Sequence, residues 1–225
     1  MRNTGSPYRT RTDAGRRLTR HLESYRDSGA IVFAIPRGGV PVACEVARTL
    51  HCSLDIIVPR KIPIPHNPEA GFGAVTEDGV IVLNDPLVRQ LRLTRDEIDR
   101  QTEVVRDEIR RRQMVFRAVL APSSVQGKTA IIIDDGLASG YTMVAAVTSL
   151  RKRGARTVVA AAPVASESGW ERVRDAADDV VCPIVSGTYP FSVASFYDEW
   201  YDLTDEEVIQ RLEAFKNLSQ EAPHD

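Results

Sequence analysis

The chain has 225 residues, of which 43% are hydrophobic and 27% charged, and its formal net charge is −2 at pH 7. This composition fits one compact globular domain without structural disulfides, and the near-neutral charge gives no argument for nucleic-acid binding, so no nucleic-acid partner is expected. The three cysteines are scattered with no metal-ligand spacing, and no apolar run is long enough for a membrane span or a signal peptide. We therefore expect a cytoplasmic protein that does not contact membranes.

The N-terminal part predicts two helices around one buried strand. Residues 1–12 are polar and predicted to be loose, and Asp13 is the expected N-cap of a first helix. That helix has one apolar stripe, made by Ala14, Leu18, Leu22 and Tyr25. The apolar run 30–35 predicts a strand that ends in Pro36-Arg37-Gly38-Gly39 before a second helix. Alone, this turn is equally typical of a plain left-handed turn and of an anion site in which Arg37 binds phosphate oxygens.

The next segment predicts a strand over residues 54–58, which leads into Arg60 and Lys61. Residues 62–73 contain three prolines and two glycines and are predicted to form a long loop, which in a compact domain is usually functional or disordered. A β-hairpin is expected through residues 77–79, followed by a short helix over residues 85–91.

A capping box formed by Thr94 and Glu97 begins a long helix with one apolar face. The opposite face is rich in Arg and Glu, and the pattern allows the helix to pack either on the core or on a second subunit. Arginines are concentrated on this helix and near the N-terminus, and both groups are predicted to be solvated helix faces. They are Arg110 to Arg112, and Arg9, Arg11, Arg16 and Arg17.

The most informative stretch runs from Thr129 to Thr142. Residues 130–133 predict a strand buried on both faces, which ends in the carboxylates of Asp134 and Asp135. The small-residue turn that follows can bind a phosphate monoester through backbone N–H groups and hydroxyls at the start of the next helix. The residues of this phosphate turn are Ala138, Ser139, Gly140, Tyr141 and Thr142. Carboxylates accept hydrogen bonds from vicinal hydroxyls and hold Mg²⁺ through water, so the whole stretch suits a ribose 5-phosphate.

The C-terminal part predicts a strand over residues 157–164, a helix over 167–177 and a strand over 180–185. An aromatic segment, residues 186–200, follows, and Thr204 begins a last helix. The alternation of strands and helices predicts a mainly parallel α/β sheet flanked by helices.

Residues 131–142, Ile-Ile-Ile-Asp-Asp-Gly-Leu-Ala-Ser-Gly-Tyr-Thr, resemble the phosphoribosyl-pyrophosphate signature of the type I phosphoribosyltransferases, with Ser139 where threonine is usual. Residues 35–43, Ile-Pro-Arg-Gly-Gly-Val-Pro-Val-Ala, are similar to a segment of the predicted bacterial and archaeal members. The resemblance implies one domain over residues 1–225 with a long inserted helix. Its core is expected at about 28–185, with a hood from about 186–202 plus the N-terminal segment and a C-terminal helix over 204–218.

The resemblance further implies a Mg²⁺-dependent homodimeric enzyme of nucleotide metabolism that transfers the phosphoribosyl group to a nitrogenous base and releases pyrophosphate. It assigns the ribose hydroxyls, and Mg²⁺ through them or through water, to Asp134 and Asp135. It assigns the pyrophosphate to the Arg37 turn with Arg60 and Lys61. The remaining substrate contacts it implies are Gly38, Gly39, the phosphate turn, and Tyr189 and Phe191, which can stack on the base.

Several alternatives remain open. Hypoxanthine and guanine enzymes of this family carry an aspartate where this chain has Ala138, which weakens that acceptor assignment. Non-catalytic sensing of phosphoribosyl pyrophosphate is a second possibility, although Arg37 and the Arg60-Lys61 pair favour catalysis. A sugar-phosphate hydrolase with Asp134 as nucleophile is a third, but Gly136 occupies the second place of the usual Asp-x-Asp spacing.

Overall fold

The computed structural model describes residues 5–65 and 67–221. Its strands are β1 (Ile31–Ala34), β2 (Ser53–Ile56), β3 (Arg60–Ile64), β4 (Asn67–Val75), β5 (Ile81–Leu83), β6 (Thr129–Ile133), β7 (Thr157–Ala161), β8 (Val164–Ser166), β9 (Asp179–Val181) and β10 (Ile184–Ser186). Its α-helices are α1 (Arg11–Thr19), α2 (Gly39–Leu50), α3 (Asp85–Gln90), α4 (Arg95–Arg117), α5 (Tyr141–Lys152), α6 (Glu167–Arg174) and α7 (Asp205–Glu221).

Five parallel strands form the central sheet in the order β2-β1-β6-β7-β9. Side chains alternate between the two faces of each strand, so these apolar strands feed two separate cores. Helices α2, α4 and α7 pack on the core that contains Val32 and Ile131, whereas α5 and α6 pack on the core that contains Phe33 and Ile132. The predicted mainly parallel sheet flanked by helices is confirmed.

The proline-rich stretch after β2 is an antiparallel sheet in the order β3-β4-β5. The predicted long loop over residues 62–73 is therefore wrong over most of its length, although His66 lies outside the described residues. Backbone pairing between β3 and β4 accommodates the prolines through register shifts around Pro63. The Lys61 side chain lies over Gly71, where a Cβ atom would come within 2.2 Å of its Cγ. The predicted hairpin through residues 77–79 joins β4 to β5.

Two predicted strands are each divided by a proline. Residues 157–164 contain β7 and the start of β8, with Pro163 between them, and residues 180–185 cover most of β9 and of β10, with Pro183 between them. Proline lacks the N–H group that an inner strand such as β7 donates to its neighbour, and the chain leaves the central sheet at Pro163. It also leaves the central sheet at Pro183, after the edge strand β9. β8 and β10 then pair with each other in a separate two-stranded parallel sheet.

Residues 6–12 of the N-terminal segment make specific contacts, contrary to the prediction of a loose stretch. The Tyr8 N–H donates to the Phe196 carbonyl and the Asp198 N–H donates to the Tyr8 carbonyl, so the segment pairs with residues 196–198. The N-cap of α1 is Thr10, whose hydroxyl accepts from the Asp13 N–H, rather than Asp13 itself. Residues 1–4 of the predicted loose segment lie outside the described part.

Helix α4 packs on the core through Thr102, Val105, Ile109 and Phe116. The predicted capping box is present, with Thr94 and Glu97 each bonding the other's backbone N–H. At the opposite end, Arg117 donates to the fully buried carboxylate of Asp55 on β2, which also accepts from the Ser123 N–H at 2.7 Å. Over the described ranges, neither α4 nor any other helix combines the length and apolarity of a membrane span.

Candidate active site

The loops after β1 and β6 meet at the carboxyl edge of the central sheet. Strand order reverses between these two strands, because β2 lies beyond β1 while β7 and β9 lie beyond β6. In open α/β sheets such a reversal leaves a crevice where ligands bind. A Cβ atom at Gly38 would lie 1.9 Å from Asp135 Oδ2, and one at Gly39 would lie 2.5 Å from the Ile133 carbonyl oxygen. The two glycines therefore let residues 36–39, the predicted pyrophosphate turn, lie directly against Asp134 and Asp135, which we call the acidic pair.

The two carboxylates of the acidic pair have different surroundings. Asp134 Oδ1 accepts a hydrogen bond from the Asp135 N–H at 2.9 Å. Burial, followed by the charge of Asp135, raises the pKa of Asp134 well above its usual range. Burial also raises the pKa of Asp135, but the Arg11 guanidinium opposes that effect. Because Asp135 is bound to Arg11, Asp134 is the better placed of the two to accept hydrogen bonds from ligand hydroxyls.

Arg11 is a site residue that the sequence analysis missed. Its Nε donates to Asp135 Oδ2 at 2.7 Å, and its Nη1 donates to the Tyr201 carbonyl at 2.9 Å. The guanidinium carbon lies 3.8 Å from the centre of the Trp200 ring. Only 7% of the Arg11 side chain and 13% of the Asp135 side chain are exposed. Helix α1 therefore places a buried cation beside the acidic pair. The prediction of a solvated helix face is wrong for Arg11.

A sequence signal for this burial exists in the helical spacing. Arg11 lies three residues before Ala14 and seven before Leu18, so it shares their face of α1. An arginine on an apolar stripe needs an anionic partner, because an unpaired buried charge is strongly destabilising. The stripe predicts that Arg11 is buried, but it does not identify Asp135 as the partner.

The phosphate turn leads into the N-terminus of α5. Gly140 precedes the helix with φ +78°, a conformation that favours glycine, and a Cβ atom there would lie 2.8 Å from the Gly169 carbonyl oxygen. The first N–H groups of a helix have no partner within it. Those at the start of α5 are therefore available to an anion at the same crevice.

Helix α6 fixes the orientation of the phosphate turn. Ser166 Oγ donates to the Ala138 carbonyl at 2.5 Å, and Arg172 donates to the Ser139 carbonyl. The Arg172 guanidinium also lies 4.3 Å from the centre of the Tyr141 ring. In a trans peptide the N–H group points opposite to the carbonyl. With these carbonyls bound on the α6 side, the N–H groups of residues 139 and 140 face the other way, and Arg172 is a second residue that sequence analysis missed.

The predicted pyrophosphate contacts lie on two sides of the β3–β4 hairpin. Arg37 Nη1 lies 3.9 Å from Asp205 Oδ1 at the start of α7, and Arg60 Nη2 lies 2.8 Å from Glu108 Oε2 on α4. Lys61 follows Arg60 in β3 and so points to the opposite face of that strand. The structure thus groups Arg37 and Arg60 beside α4 and α7, and it places Lys61 on the other face.

The aromatic segment packs against the turn that follows the acidic pair. A Cβ atom at Gly136 would lie 2.5 Å from Val193 Cγ1, so this segment touches the turn after the aspartates. The ring centres of Phe191 and Phe196 are 5.6 Å apart, which places Phe191 in the packing of the segment itself. Tyr189 is 95% exposed. Of the two predicted stacking residues, Tyr189 has the accessible ring.

Gly38→Ala tests whether the close approach of the two loops matters. The added methyl group would overlap the Asp135 carboxylate, which is held by Arg11, so we expect a loss of about 1–3 kcal/mol in the free energy of unfolding. Urea denaturation measures this loss. Gly187→Ala is the matched control, because its Cβ atom would meet only the carboxylate of Glu167, an exposed side chain that can move. Equal effects of both variants would contradict the packing described here.

Residues 11–198 match the family model described as "Phosphoribosyl transferase domain". The chain belongs to this family. The solved structure of TT1426 from Thermus thermophilus is similar to this phosphoribosyltransferase-family chain, with a TM-score of 0.77 at 35% identity, covering 92% of this chain and 98% of that one. The resemblance inferred from residues 131–142 is confirmed.

Curated phosphoribosyltransferase relatives give the same assignment. Rv0571c of Mycobacterium tuberculosis H37Rv and MT0597 of strain CDC 1551, both named as phosphoribosyl transferases, are 39% identical to this chain over 203 residues. The match covers 90% of this chain and 46% of each relative, so the chain spans about half their length. The uracil phosphoribosyltransferase of Kineococcus radiotolerans is 34% identical over 140 residues, or 62% of this chain and 58% of that protein.

The carboxylates of this phosphoribosyltransferase-family site are of the chemical type that Mg²⁺ prefers. The carboxylates of Asp134 and Asp135 are hard oxygen donors at the crevice, as Mg²⁺ prefers. Arg11 already occupies one Asp135 oxygen. Within residues 5–65 and 67–221, no cluster of three or more His, Cys, Asp or Glu side chains forms a metal cage. Asp134 and the second oxygen of Asp135 are the carboxylate donors that such an ion would meet at this crevice.

Proposed function

We propose that this chain transfers the 5-phosphoribosyl group from phosphoribosyl pyrophosphate to a nitrogenous acceptor and releases pyrophosphate. One observation supports the proposal most directly: the acidic pair lies between two anion-binding turns in a single crevice. The Gly38–Gly39 turn contacts the pair on one side, and the phosphate turn follows it on the other. A sugar that carries a phosphate at one end and a pyrophosphate at the other matches this sequence of polar groups.

The substrate's two ends are assigned to the two turns. The 5′-phosphate accepts hydrogen bonds from the N–H groups of residues 139–142 and from the hydroxyls of Ser139 and Thr142. The ribose hydroxyls donate to Asp134, with Asp135 contributing through its remaining oxygen. The pyrophosphate lies at the Gly38–Gly39 turn. Arg37 and Arg60 supply charge from the side of α4. Lys61 points to the other face of β3, so its contact with the leaving group stays a prediction.

The transfer is a substitution at C1 of the ribose. The C1–O bond to pyrophosphate breaks with both electrons leaving on that oxygen, and the lone pair of the acceptor nitrogen forms the new C1–N bond. The nitrogen then loses its proton to solvent. Mg²⁺, when bound with the substrate, neutralises charge that develops on the leaving group. The chain contributes positioning by both turns and, through Asp134, a carboxylate close to the positive charge that develops on the ribose ring.

The acceptor is proposed to lie under the aromatic segment. The exposed ring of Tyr189 is available to stack on a heterocycle, and Phe191 supports the segment from within. Ala138 stands where hypoxanthine and guanine enzymes carry an aspartate, so we place uracil and adenine ahead of those bases. The uracil-specific name of one relative adds weight to uracil. A cytoplasmic location, a homodimer and a part in nucleotide metabolism stay predictions.

The proposed function is tested by calorimetric titration with phosphoribosyl pyrophosphate and Mg²⁺, followed by a pyrophosphate-release assay. The assay uses uracil, adenine, hypoxanthine, guanine and a no-base control. We expect binding, and release that depends on one base. Binding without release for any of these bases would contradict transfer to them and favour a sensing module or an acceptor outside this set. Release without any base would favour a hydrolase. No binding would contradict the assignment of both turns.

A further inference from the structure

Three arginines from separate elements converge beside the pyrophosphate turn. Arg37 comes from the loop after β1, Arg60 from the start of β3, and Arg112 from the second half of α4. Arg112 Nε lies 3.9 Å from Asp205 Oδ1, the same oxygen that lies 3.9 Å from Arg37 Nη1. Asp205 therefore stands between a residue of the turn and a residue of the long helix.

The arginine cluster is incompletely neutralised. Its two carboxylates are Asp205 and Glu108, and Glu108 is bound to Arg60 at 2.8 Å. Both distances to Asp205 are too long for a hydrogen bond, and its buried Oδ1 finds no hydrogen-bond partner among the residues that the structure describes. Three positive charges thus face two negative ones, and one of the two carboxylates, Asp205, makes no hydrogen bond through its Oδ1 within the described part of the chain. Such an arrangement suits a ligand with several anionic oxygens better than it suits a structural ion pair.

Arg112 lies on the buried side of α4 and is mostly shielded from solvent. It follows Ile109 by three residues and precedes Phe116 by four, so it lies on the buried side of α4, and only 22% of its side chain is exposed. Burial, and then the charges of Arg60 and Arg37, lower the pKa of Arg112, whereas Asp205 raises it. Its neighbours Arg110 and Arg111 are exposed, as predicted. A cation held close to other cations in a partly buried place contributes little to folding stability unless an anion pairs with it.

We propose that Arg112 binds the leaving pyrophosphate together with Arg37 and Arg60, and that Asp205 is the counter-ion which pyrophosphate displaces. The inference rests on the proposed function and adds to it a contact from the inserted helix and a competing carboxylate from α7. Ribose 5-phosphate, which lacks the pyrophosphate, does not reach this cluster. Comparing the affinities for pyrophosphate and for ribose 5-phosphate therefore isolates the contribution of the arginine cluster from that of the rest of the crevice.

Titration of the 225-residue chain with inorganic pyrophosphate plus Mg²⁺, and separately with ribose 5-phosphate, tests this role. Arg112→Gln should weaken pyrophosphate binding by at least about tenfold, because a hydrogen bond between charged groups is lost, and should leave ribose 5-phosphate binding within about twofold. Arg111→Gln is the matched control, since Arg111 is exposed on the same turn of α4 and donates to the Asp107 carbonyl. It should bind both ligands like the unmodified chain.

Asp205→Asn should change pyrophosphate affinity in the opposite direction, and it tests the proposed role of the cluster even if Arg112→Gln does not fold. Removal of the competing charge should strengthen pyrophosphate binding, whereas a purely structural ion pair would leave it unchanged or weaken it. Unchanged pyrophosphate affinity in Arg112→Gln, or equal losses for both ligands, would overturn the inference while the proposed function stands. Failure of the unmodified chain to bind either ligand would overturn both.

Discussion

Asp134→Asn is expected to weaken binding of phosphoribosyl pyrophosphate by about 10- to 100-fold and, at the same time, to raise the melting temperature. The loss of affinity follows because hydrogen bonds from ribose hydroxyls to an ionised carboxylate are each worth about 1.5–3 kcal/mol, and 1.4 kcal/mol is tenfold in affinity. The gain in stability follows from the raised pKa of Asp134, whose ionised form is disfavoured by burial and by Asp135. Asparagine removes that charge and keeps an oxygen for the Asp135 N–H.

The pH dependence of this gain has a definite sign. A carboxyl whose pKa is raised by folding binds its proton more tightly in the folded state, so stability falls as pH rises from the unfolded value, about 3.9, through the folded value. The stability cost is fully present at higher pH. The difference in melting temperature between Asp134→Asn and the unmodified chain should therefore be largest there and should shrink as pH approaches about 4.

Thermal unfolding across this pH range and calorimetric titration of the same samples measure both effects. For a chain of this size, each 1 kcal/mol corresponds to about 2–4 °C in melting temperature. Asp175→Asn is the control, because that carboxylate is exposed at the end of α6 and should change neither quantity. Unaltered affinity in Asp134→Asn would remove Asp134 from the ribose site, and a lowered melting temperature would contradict the electrostatic account of the acidic pair.

Arg11→Met is expected to destabilise the fold by about 3–5 kcal/mol at neutral pH, because it leaves the buried Asp135 carboxylate without its cation. The variant also loses the bond to the Tyr201 carbonyl and the contact with Trp200. These contacts join α1 to the segment that precedes α7. We therefore expect weaker binding of phosphoribosyl pyrophosphate as a second consequence.

Arg9→Met is a matched control for Arg11→Met, because Arg9 pairs with Glu199 at 3.0 Å on the surface, where both side chains are more than half exposed. Such pairs contribute about 0–1 kcal/mol. Urea denaturation compares the two variants. Asp135→Asn combined with Arg11→Met should restore part of the lost stability, since the unpaired charge is then gone. Similar losses in Arg9→Met and Arg11→Met would show that burial of the pair has no energetic consequence.

The loss in Arg11→Met should also depend on pH in a predictable direction. Arg11 lowers a pKa that burial raises, so its removal lets the Asp135 carboxyl hold a proton to higher pH. A protonated Asp135 needs no cation. The destabilisation should accordingly decrease as the solution becomes more acidic, and a loss that is independent of pH would contradict the ion-pair explanation.

The central sheet and the two turns follow from local patterns in the amino-acid sequence. Residues 30–35 and 130–133 are apolar and β-branched runs that are typical of buried strands in a sheet covered on both faces, and each is followed at once by its turn. Information of this kind is local, because strand, turn and helix N-terminus are consecutive in the chain. Residues 131–142 were sufficient to identify the family for the same reason.

Long-range packing, in contrast, selects which charges join the site. Arg11 and Arg112 are far apart in the chain, and each lies among arginines that are solvated, so the concentration of charge alone predicts a solvated face for both. Both in fact lie on the apolar stripe of a helix, and their partners, Asp135 and Asp205, are distant in the sequence. The division of two predicted strands at Pro163 and Pro183 likewise depends on distant contacts, since the sheet to which a short strand belongs is set by the strands beside it. Helical periodicity gives the side of a helix that is buried, but the identity of a partner across the fold depends on contacts between distant segments, which no local pattern contains.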